Sequence, residues 1–319
     1  MIIRPWIRVL SVTFTSTKFK NKLIFGENYL KGKEDLNIDV SINKYMSTLK
    51  DSATIKISNL TYHEIIRLID GEYYDVEVKA GYRNTSVVSV FKGQVLYISN
   101  SLDDRKSNTA IILCASNLVA KYGQSRINLS LNSGINTYTA LKYVCKRAGM
   151  DKTNISTQLK KAFVQQIVNV SGTPGSWINS LANSNSNLVV NSDSSETGDI
   201  VTIWDASKSG GRVFELKESN IQLIGGQPQL DKDGLTLTLI PTLPIKCGDT
   251  IQIDNSLINI SSSNISEMKE NKGYYLDKEG MYLVYEISYS LQNRGSSFGV
   301  TLSCKSRNLV SNYMGVTNG

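Results

Sequence analysis

The chain writes one phrase twice. Residues 98–116 read ISNSLDDRKSNTAIILCAS, and residues 287–306 read ISYSLQNRGSSFGVTLSCKS, beginning 189 positions later. Both run I-S-x-S-L-x-x-R-x-S and close on C-x-S, with a single-residue gap between those halves. Each is a hairpin pattern, two alternating strands around a polar turn. Ile98 aligns with Ile287 and Leu102 with Leu291; Ala110, Ile112 and Cys114 align with Val300, Leu302 and Cys304. Side chains alternate strictly along a strand, so a coincidental match would not keep the facing of both strands. The phrase therefore predicts one β-module present in each half of the chain. Facing assigned by period two puts Leu96, Ile98 and Leu102 on one face of the early hairpin, and Leu283, Tyr285, Ile287, Tyr289 and Leu291 on one face of the late one.

The segments around the early hairpin carry the same β character. IRVLSVTFTS opens the chain, LNIDVSIN (36–43) alternates Leu36, Ile38, Val40 and Ile42 with polar residues, and SATIKISNL (52–60) and YYDVEVKAGY (73–82) repeat the pattern. One helix interrupts them: in TYHEIIRLID, Thr61 and Glu64 stand at capping-box spacing. Six or seven short strands with one helix predict a small barrel over residues 1–118. Residues 119–215 read differently. INTYTALKYVCKRAGM places Tyr138, Leu141, Val144, Cys145 and Ala148 on one helical face and ends at Gly149. SGTPGSWINSLANSNS starts a second helix at Pro174, with Trp177 and Leu181 inward. NLVVNSD and DIVTIWD form a strand pair across a Ser/Thr-rich turn. This is an α+β insert. Residues 216–319 return to β, with a strand in LTLTL, a proline-punctuated turn, a strand from Asp249 and the second hairpin. The expected fold is mainly β: two similar small β-barrel modules flanking an α+β insert.

Composition excludes several function classes. At 40% hydrophobic residues the chain is rich enough for packed cores and is not globally disordered. The formal charge of +7 admits nucleic acid, an anionic membrane or an acidic partner. Yet no run of five basic residues occurs, the densest clusters being KFKNK (18–22) and KSR (305–307), so a solvated lysine-rich surface accounts for the excess without nucleic-acid binding. The start, with Arg4, Pro5 and Arg8 among its apolar residues, does not read as a signal peptide, and no stretch reaches the roughly 18–20 apolar residues of a membrane span. Synthesis in the cytoplasm without membrane insertion is the expectation. Cys114, Cys145, Cys247 and Cys304 are far apart in sequence, so they lack zinc-ribbon spacing and read as buried hydrophobes in a reducing compartment.

No constellation for chemistry emerges. His63 is the single histidine, early in the predicted helix, and any Ser-His-Asp or Cys-His site would have to use it. A glycosidase needs only two carboxylates, but Glu64, Glu72, Asp103 and Asp104 fall in or beside turns and helix caps. SGG (209–211) lacks the lysine of a phosphate loop, and GDT (248–250) offers a single carboxylate, Asp249, to a metal. No catalytic, cofactor-binding or metal-ligating residue is assigned. Two repeated β-modules without chemistry are the profile of an assembly part.

The segment from SATIKISNL through VKAGY to VFKGQVLYIS resembles the N-terminal barrel of tail hub proteins from contractile-tailed bacteriophages, which are related to the hub part of VgrG-type spike proteins. Ile57, Asn59, Leu60, Val76, Val78, Ala80, Gly81, Tyr82, Phe91 and Gly93 occupy the family's places, and LIPTLPIKCGDTIQI with YLVYEISYSLQNRGSSFGVTLSC resembles its C-terminal barrel. The resemblance implies a structural, non-enzymatic homotrimer at the tip of a tail tube, in the baseplate of a virion assembled in the host cytoplasm. Its partners would be further copies of itself, the tail tube protein, a central spike protein on a separate chain, and other baseplate proteins. Three protomers with two similar barrels each would present six around a ring, matching a sixfold tube on one side and a threefold spike on the other. Two other readings stand beside it: a tail-associated peptidoglycan hydrolase, which needs a carboxylate pair in a cleft, and a glycan-binding tail tip protein, suggested by three tryptophans and 16 tyrosines.

Overall fold

The computed structural model describes residues 7–16, 18–26, 36–46, 51–70, 72–83, 86–102, 108–122, 125–150, 153–161, 168–178, 188–195, 198–205, 211–216, 226–231, 234–260 and 276–307. In chain order the first half holds β1 (Arg8–Thr15), β2 (Lys22–Phe25), β3 (Asn37–Tyr45), β4 (Ser52–Ser58), helix α1 (Tyr62–Asp70), β5 (Asp75–Tyr82), β6 (Val87–Leu102) and β7 (Asn108–Ser116). The period-two residues point inward as expected: Ile38, Val40 and Ile42 of β3, and Ala53, Ile55 and Ile57 of β4, are all buried. Helix α1 begins at the capping box. The Thr61 N–H donates to Glu64 Oε2 at 2.8 Å, and the Glu64 N–H donates to Thr61 Oγ1 at 3.3 Å. Ile65 and Leu68 then carry its buried face.

The middle of the chain holds α2 (Asn117–Tyr122), β8 (Ile127–Leu131), α3 (Thr137–Arg147), β9 (Thr153–Ile155), β10 (Val168–Gly172), a helical turn at 174–178, β11 (Leu188–Ser195) and β12 (Gly198–Asp205). Asn136 caps α3 by accepting the Thr139 N–H at 2.8 Å, and Gly149, at φ +76°, supplies the left-handed residue that ends it. Ala140, Leu141, Val144 and Cys145 face inward, while Tyr138 and Ala148 pack at the margin. β8 pairs with β10; β11 and β12 form the antiparallel pair read from NLVVNSD and DIVTIWD, with β9 parallel to β12. These elements enclose a core of their own, among it Ile127, Leu141, Ile178 and Ile203. Leu181 lies outside the described residues.

The last third holds β13 (Val213–Leu216), β14 (Gln229–Asp231), β15 (Gly234–Leu239), β16 (Thr250–Ile253), β17 (Asn259–Ile260), β18 (Met281–Gln292) and β19 (Phe298–Ser306). The repeat is wider than the hairpin that announces it. The first half contains the strand order β3-β4-β7-β6-β5, and the last third contains β14-β15-β19-β18-β16, every neighbouring pair antiparallel. The registers agree residue by residue. Ala53, Ile55 and Ile57 lie opposite Cys114, Ile112 and Ala110; Leu235, Leu237 and Leu239 lie opposite Cys304, Leu302 and Val300. Within the hairpins Ile98 faces Ile112 and Ile287 faces Leu302.

The irregularity is repeated too. β6 shifts register between Val95 and Tyr97, opposite Cys114 and Leu113; β18 shifts between Val284 and Glu286, opposite Cys304 and Ser303. Each bulge adds one residue, Leu96 or Tyr285, and so reverses the facing of everything before it. The period-two facing is therefore corrected at both places. Leu96 is 56% exposed instead of joining Ile98 in the core. Val284 shares the core with Ile287, Tyr289 and Leu291, whereas Leu283 faces the other way, against Val189 and Trp204 of the middle segment.

Strand β18 branches. Its first residues pair with β16, and 286–292 pair with β3 of the first half. One sheet thus runs through both halves, over one core that extends from Leu10 to Cys304. No ring of strand pairings closes among the described residues.

Candidate assembly surface

The described residues that could have carried chemistry are dispersed over the structure. His63 is exposed on the first turn of α1. Glu64 is held by the cap, accepting the Thr61 hydroxyl at 2.9 Å as well as its N–H. Glu72 forms an exposed ion pair with Lys18 at 2.9 Å. Asp103 and Asp104 lie outside the described residues. Asp249 is buried as a loop clamp: its carboxylate accepts the Arg212 guanidinium at 2.8 Å, the Arg212 N–H at 3.0 Å and the Lys246 N–H at 2.8 Å. Of SGG, only Gly211 is described. Among the described residues no three His, Cys, Asp or Glu side chains gather as metal ligands, and no helix is long and apolar enough to cross a membrane. All four cysteines are buried thiols outside any disulfide. Burial pushes the Cys114 and Cys145 thiols up to about 12, and Cys247 and Cys304 higher than the usual range as well, so none is a ready thiolate.

Gly81 and Gly93 act through close approach, not through positive φ. A Cβ on Gly81 would run into the Ser86 carbonyl, and one on Gly93 into the Ala115 carbonyl of the neighbouring strand.

The structured surface of consequence is where the two repeated units meet. Beyond the β18–β3 ladder, the tip of the second hairpin is gripped by the first half. Arg8 of β1 donates from Nη1 to the Gln292 carbonyl at 3.1 Å and to the Gly295 carbonyl, and from Nη2 to the Ser296 carbonyl at 3.2 Å. Its guanidinium lies 5.3 Å from the Phe298 ring, which also meets Tyr82 edge-on at 5.3 Å. Asn293 accepts the Ile38 N–H at 2.9 Å and donates to the Leu36 carbonyl at 2.8 Å. The tip of the second hairpin, Gln292–Ser296, is thus a junction element. Sequence reasoning missed this role, because its partners lie more than 250 residues away.

A cleft of about 380 Å³ opens at the same junction, lined by Lys44, Asp51, Phe91, Lys92, Lys246 and Tyr289 among others. Burial pushes the Asp51 carboxyl up to about 6, against the opposing pull of Lys44 and of the Tyr45 N–H that it accepts at 3.1 Å. The lining is basic with one charge-suppressed carboxylate. It pairs no nucleophile with a base.

This mainly β fold is similar to that of phage tail proteins. The 43 kDa tail protein of prophage MuSo2 from Shewanella oneidensis superposes with a TM-score of 0.57 at 10% identity, covering 94% of this chain and 98% of that one. The Escherichia coli c3393 protein is a type VI secretion component described as structurally similar to the T4 tail proteins gp27 and gp5. It gives 0.55 at 10% identity, over 86% and 75% of the two chains. A chain of the Francisella PdpA–VgrG complex gives 0.55 at 7%, over 94% of this chain and 58% of that one. Comparison with curated proteins finds no match. The family model described as baseplate hub gp41 matches residues 9–304, and the chain belongs to that family. It is a virion component of the phage tail.

Proposed function

We propose that the chain is the structural hub of a contractile tail baseplate: a homotrimer that adapts a sixfold tail tube to a threefold central spike. The observation that carries this reading is the internal repeat, with the same strand order, register and bulge in both units. Three protomers then supply six like units to a ring, and closed symmetry requires like patches to recur around it. In this reading residues 1–118 and 216–319 are two similar barrel-type modules completed by their neighbours in the ring, and 119–215 is an insert free to meet the spike. The partners are two further copies, the tail tube protein, the spike protein and other baseplate proteins. Assembly takes place in the bacterial cytoplasm, and the hub acts without enzymatic activity. The relationship to the E. coli c3393 protein and to a VgrG chain supports the tube-and-spike setting at the level of fold. Native mass measurement of the purified protein tests the proposal. A species at three times the 35.3 kDa chain mass is expected; a monomer or dimer across micromolar concentrations overturns it.

A further inference from the structure

The cleft at the junction belongs to neither unit alone. The first half supplies Lys44, Asp51, residues 88–92 of β6 and Ser116; the last third supplies residues 244–246 and Tyr289 of β18. Its volume of about 380 Å³ falls within the roughly 300–1,000 Å³ that ligand-binding clefts occupy. Its walls have two characters. Phe91 and Tyr289 are buried and give it an apolar side, whereas Lys44, Lys92 and Lys246 line it from three separate stretches of chain. The Lys44 ammonium lies 5.9 Å from the Tyr289 ring, so the cationic and apolar sides adjoin.

The charges around the cleft do not cancel. Among the described residues of the lining, Asp51 is the one carboxylate. The next carboxylates out are shared or taken. Glu77 lies between Lys92 at 3.4 Å and Lys79 at 3.6 Å, and Asp249, which accepts the Lys246 N–H, holds Arg212 at 2.8 Å. Five cationic side chains thus stand against three carboxylates. Burial weakens one of the three further, since it raises the Asp51 carboxyl to about 6 against the pull of Lys44. Cys247 and Tyr289 add no charge, because burial pushes both well up. A cation has no place in such a cleft. A nucleic acid needs a track of phosphate contacts, which three lysines around one cleft do not lay. A bare inorganic anion makes no use of the aromatic wall. A carboxylate carried on a polypeptide beside an apolar residue uses both sides.

We propose that the junction cleft seats an acidic segment of another baseplate chain: a glutamate or aspartate carboxylate among Lys44, Lys92 and Lys246, and an adjacent apolar side chain against Phe91 and Tyr289. The segment touches both repeated units at once, and so fastens the junction that Arg8 also grips. The inference rests on the hub reading above for naming the partner as a baseplate chain.

The test titrates the full chain by calorimetry at low salt with the peptide acetyl-Ala-Glu-Phe-Glu-Ala-amide, with its twin carrying Gln for Glu, and with inorganic phosphate. The acidic peptide should bind saturably with a Kd below about 1 mM, and the twin and phosphate about tenfold more weakly or worse. Lys44→Gln/Lys246→Gln, checked for an unchanged far-UV spectrum, should lose about tenfold or more in affinity. Lys56→Gln/Lys142→Gln removes two exposed lysines outside the lining and should stay within about twofold. Affinity should rise as pH falls from neutral to about 6, because Asp51 takes up its proton while the peptide carboxylates, with an ordinary value of about 4.3, stay ionised. Asp51→Asn should bind tightly at neutral pH and lose that dependence. No saturable binding, equal binding of the Gln twin, or equal losses in the two lysine pairs overturns the proposal. Phosphate binding as tightly as the peptide overturns it too, since the cleft would then take any free anion. Should the Lys44→Gln/Lys246→Gln protein lose its fold, Asp51→Asn and the pH profile decide. A monomeric protein that binds the peptide fails the trimer reading alone; a trimer that does not bind it fails this inference alone.

Discussion

At the residue scale, single side chains and single missing side chains shape the junction between the units. The Asp51 carboxyl has an ordinary value of 3.8 and is raised by burial to about 6. The folded protein therefore takes up a proton as pH falls through 6, before the unfolded chain does so near 3.8. Stability rises as pH falls from about 6 to about 4, and at neutral pH the buried charge is a cost. Asp51→Asn, which keeps an acceptor for the Tyr45 N–H, should stabilise the protein at pH 7 by on the order of 1–3 kcal/mol and flatten its pH dependence between 4 and 6. Thermal melts of both proteins across that window check this; parallel pH profiles would show that the carboxyl is not the group responsible. Gly93 presents the opposite case, a position where an added atom does harm. Gly93→Ala drives a methyl into the Ala115 carbonyl and should cost roughly 2 kcal/mol or more in denaturant unfolding. A substitution within about 0.5 kcal/mol would mean that the β6–β7 approach is looser than described.

At the element scale, α1 offers a paired comparison within one helical turn. Thr61→Ala removes the oxygen that receives the Glu64 N–H and should cost about 1 kcal/mol. His63→Ala, two residues on, removes an exposed side chain and should stay within about 0.5 kcal/mol, with threefold assembly unchanged. Unfolding curves for the two variants separate capping from mere presence in the helix. A His63→Ala protein that folds and assembles yet cannot support infection would point to chemistry at that residue. The cap, the alternating strands and helix α3 were all legible in the sequence, because each depends on neighbours a few positions away. The repeated hairpin was legible down to its register, Ile98 with Ile287 and Cys114 with Cys304. What period-two reading lost was the bulge. Its signal was present in the spacing Val95-Leu96-Tyr97-Ile98 and Val284-Tyr285-Glu286-Ile287, where the core residues stand three apart instead of two. Short strands such as β14 and β17 were not readable, since two or three residues carry no period. The grip of Arg8 on the second hairpin tip was not readable either, since it joins residues that only the tertiary fold brings together.

At the scale of the whole molecule, one large sheet runs through both halves, and the two halves follow the same strand plan. Within a chain, β18 meets β3 over 286–292, and this ladder joins the two repeated units. The proposed trimeric ring rests on the baseplate hub family and on this internal repeat. The difference between the halves matters as well. The middle segment packs on Leu283 in the last third, while the corresponding face of the first half carries exposed Leu96, Tyr97 and Leu113. The proposed ring would therefore be threefold as a whole and sixfold only in its strand framework. Electron microscopy of the purified full-length protein tests this most directly. Averaged end-on views should show a ring of six similar lobes around an open centre, alternating in outline so that only threefold symmetry holds. A particle with three lobes, or single copies without a ring, would contradict the account.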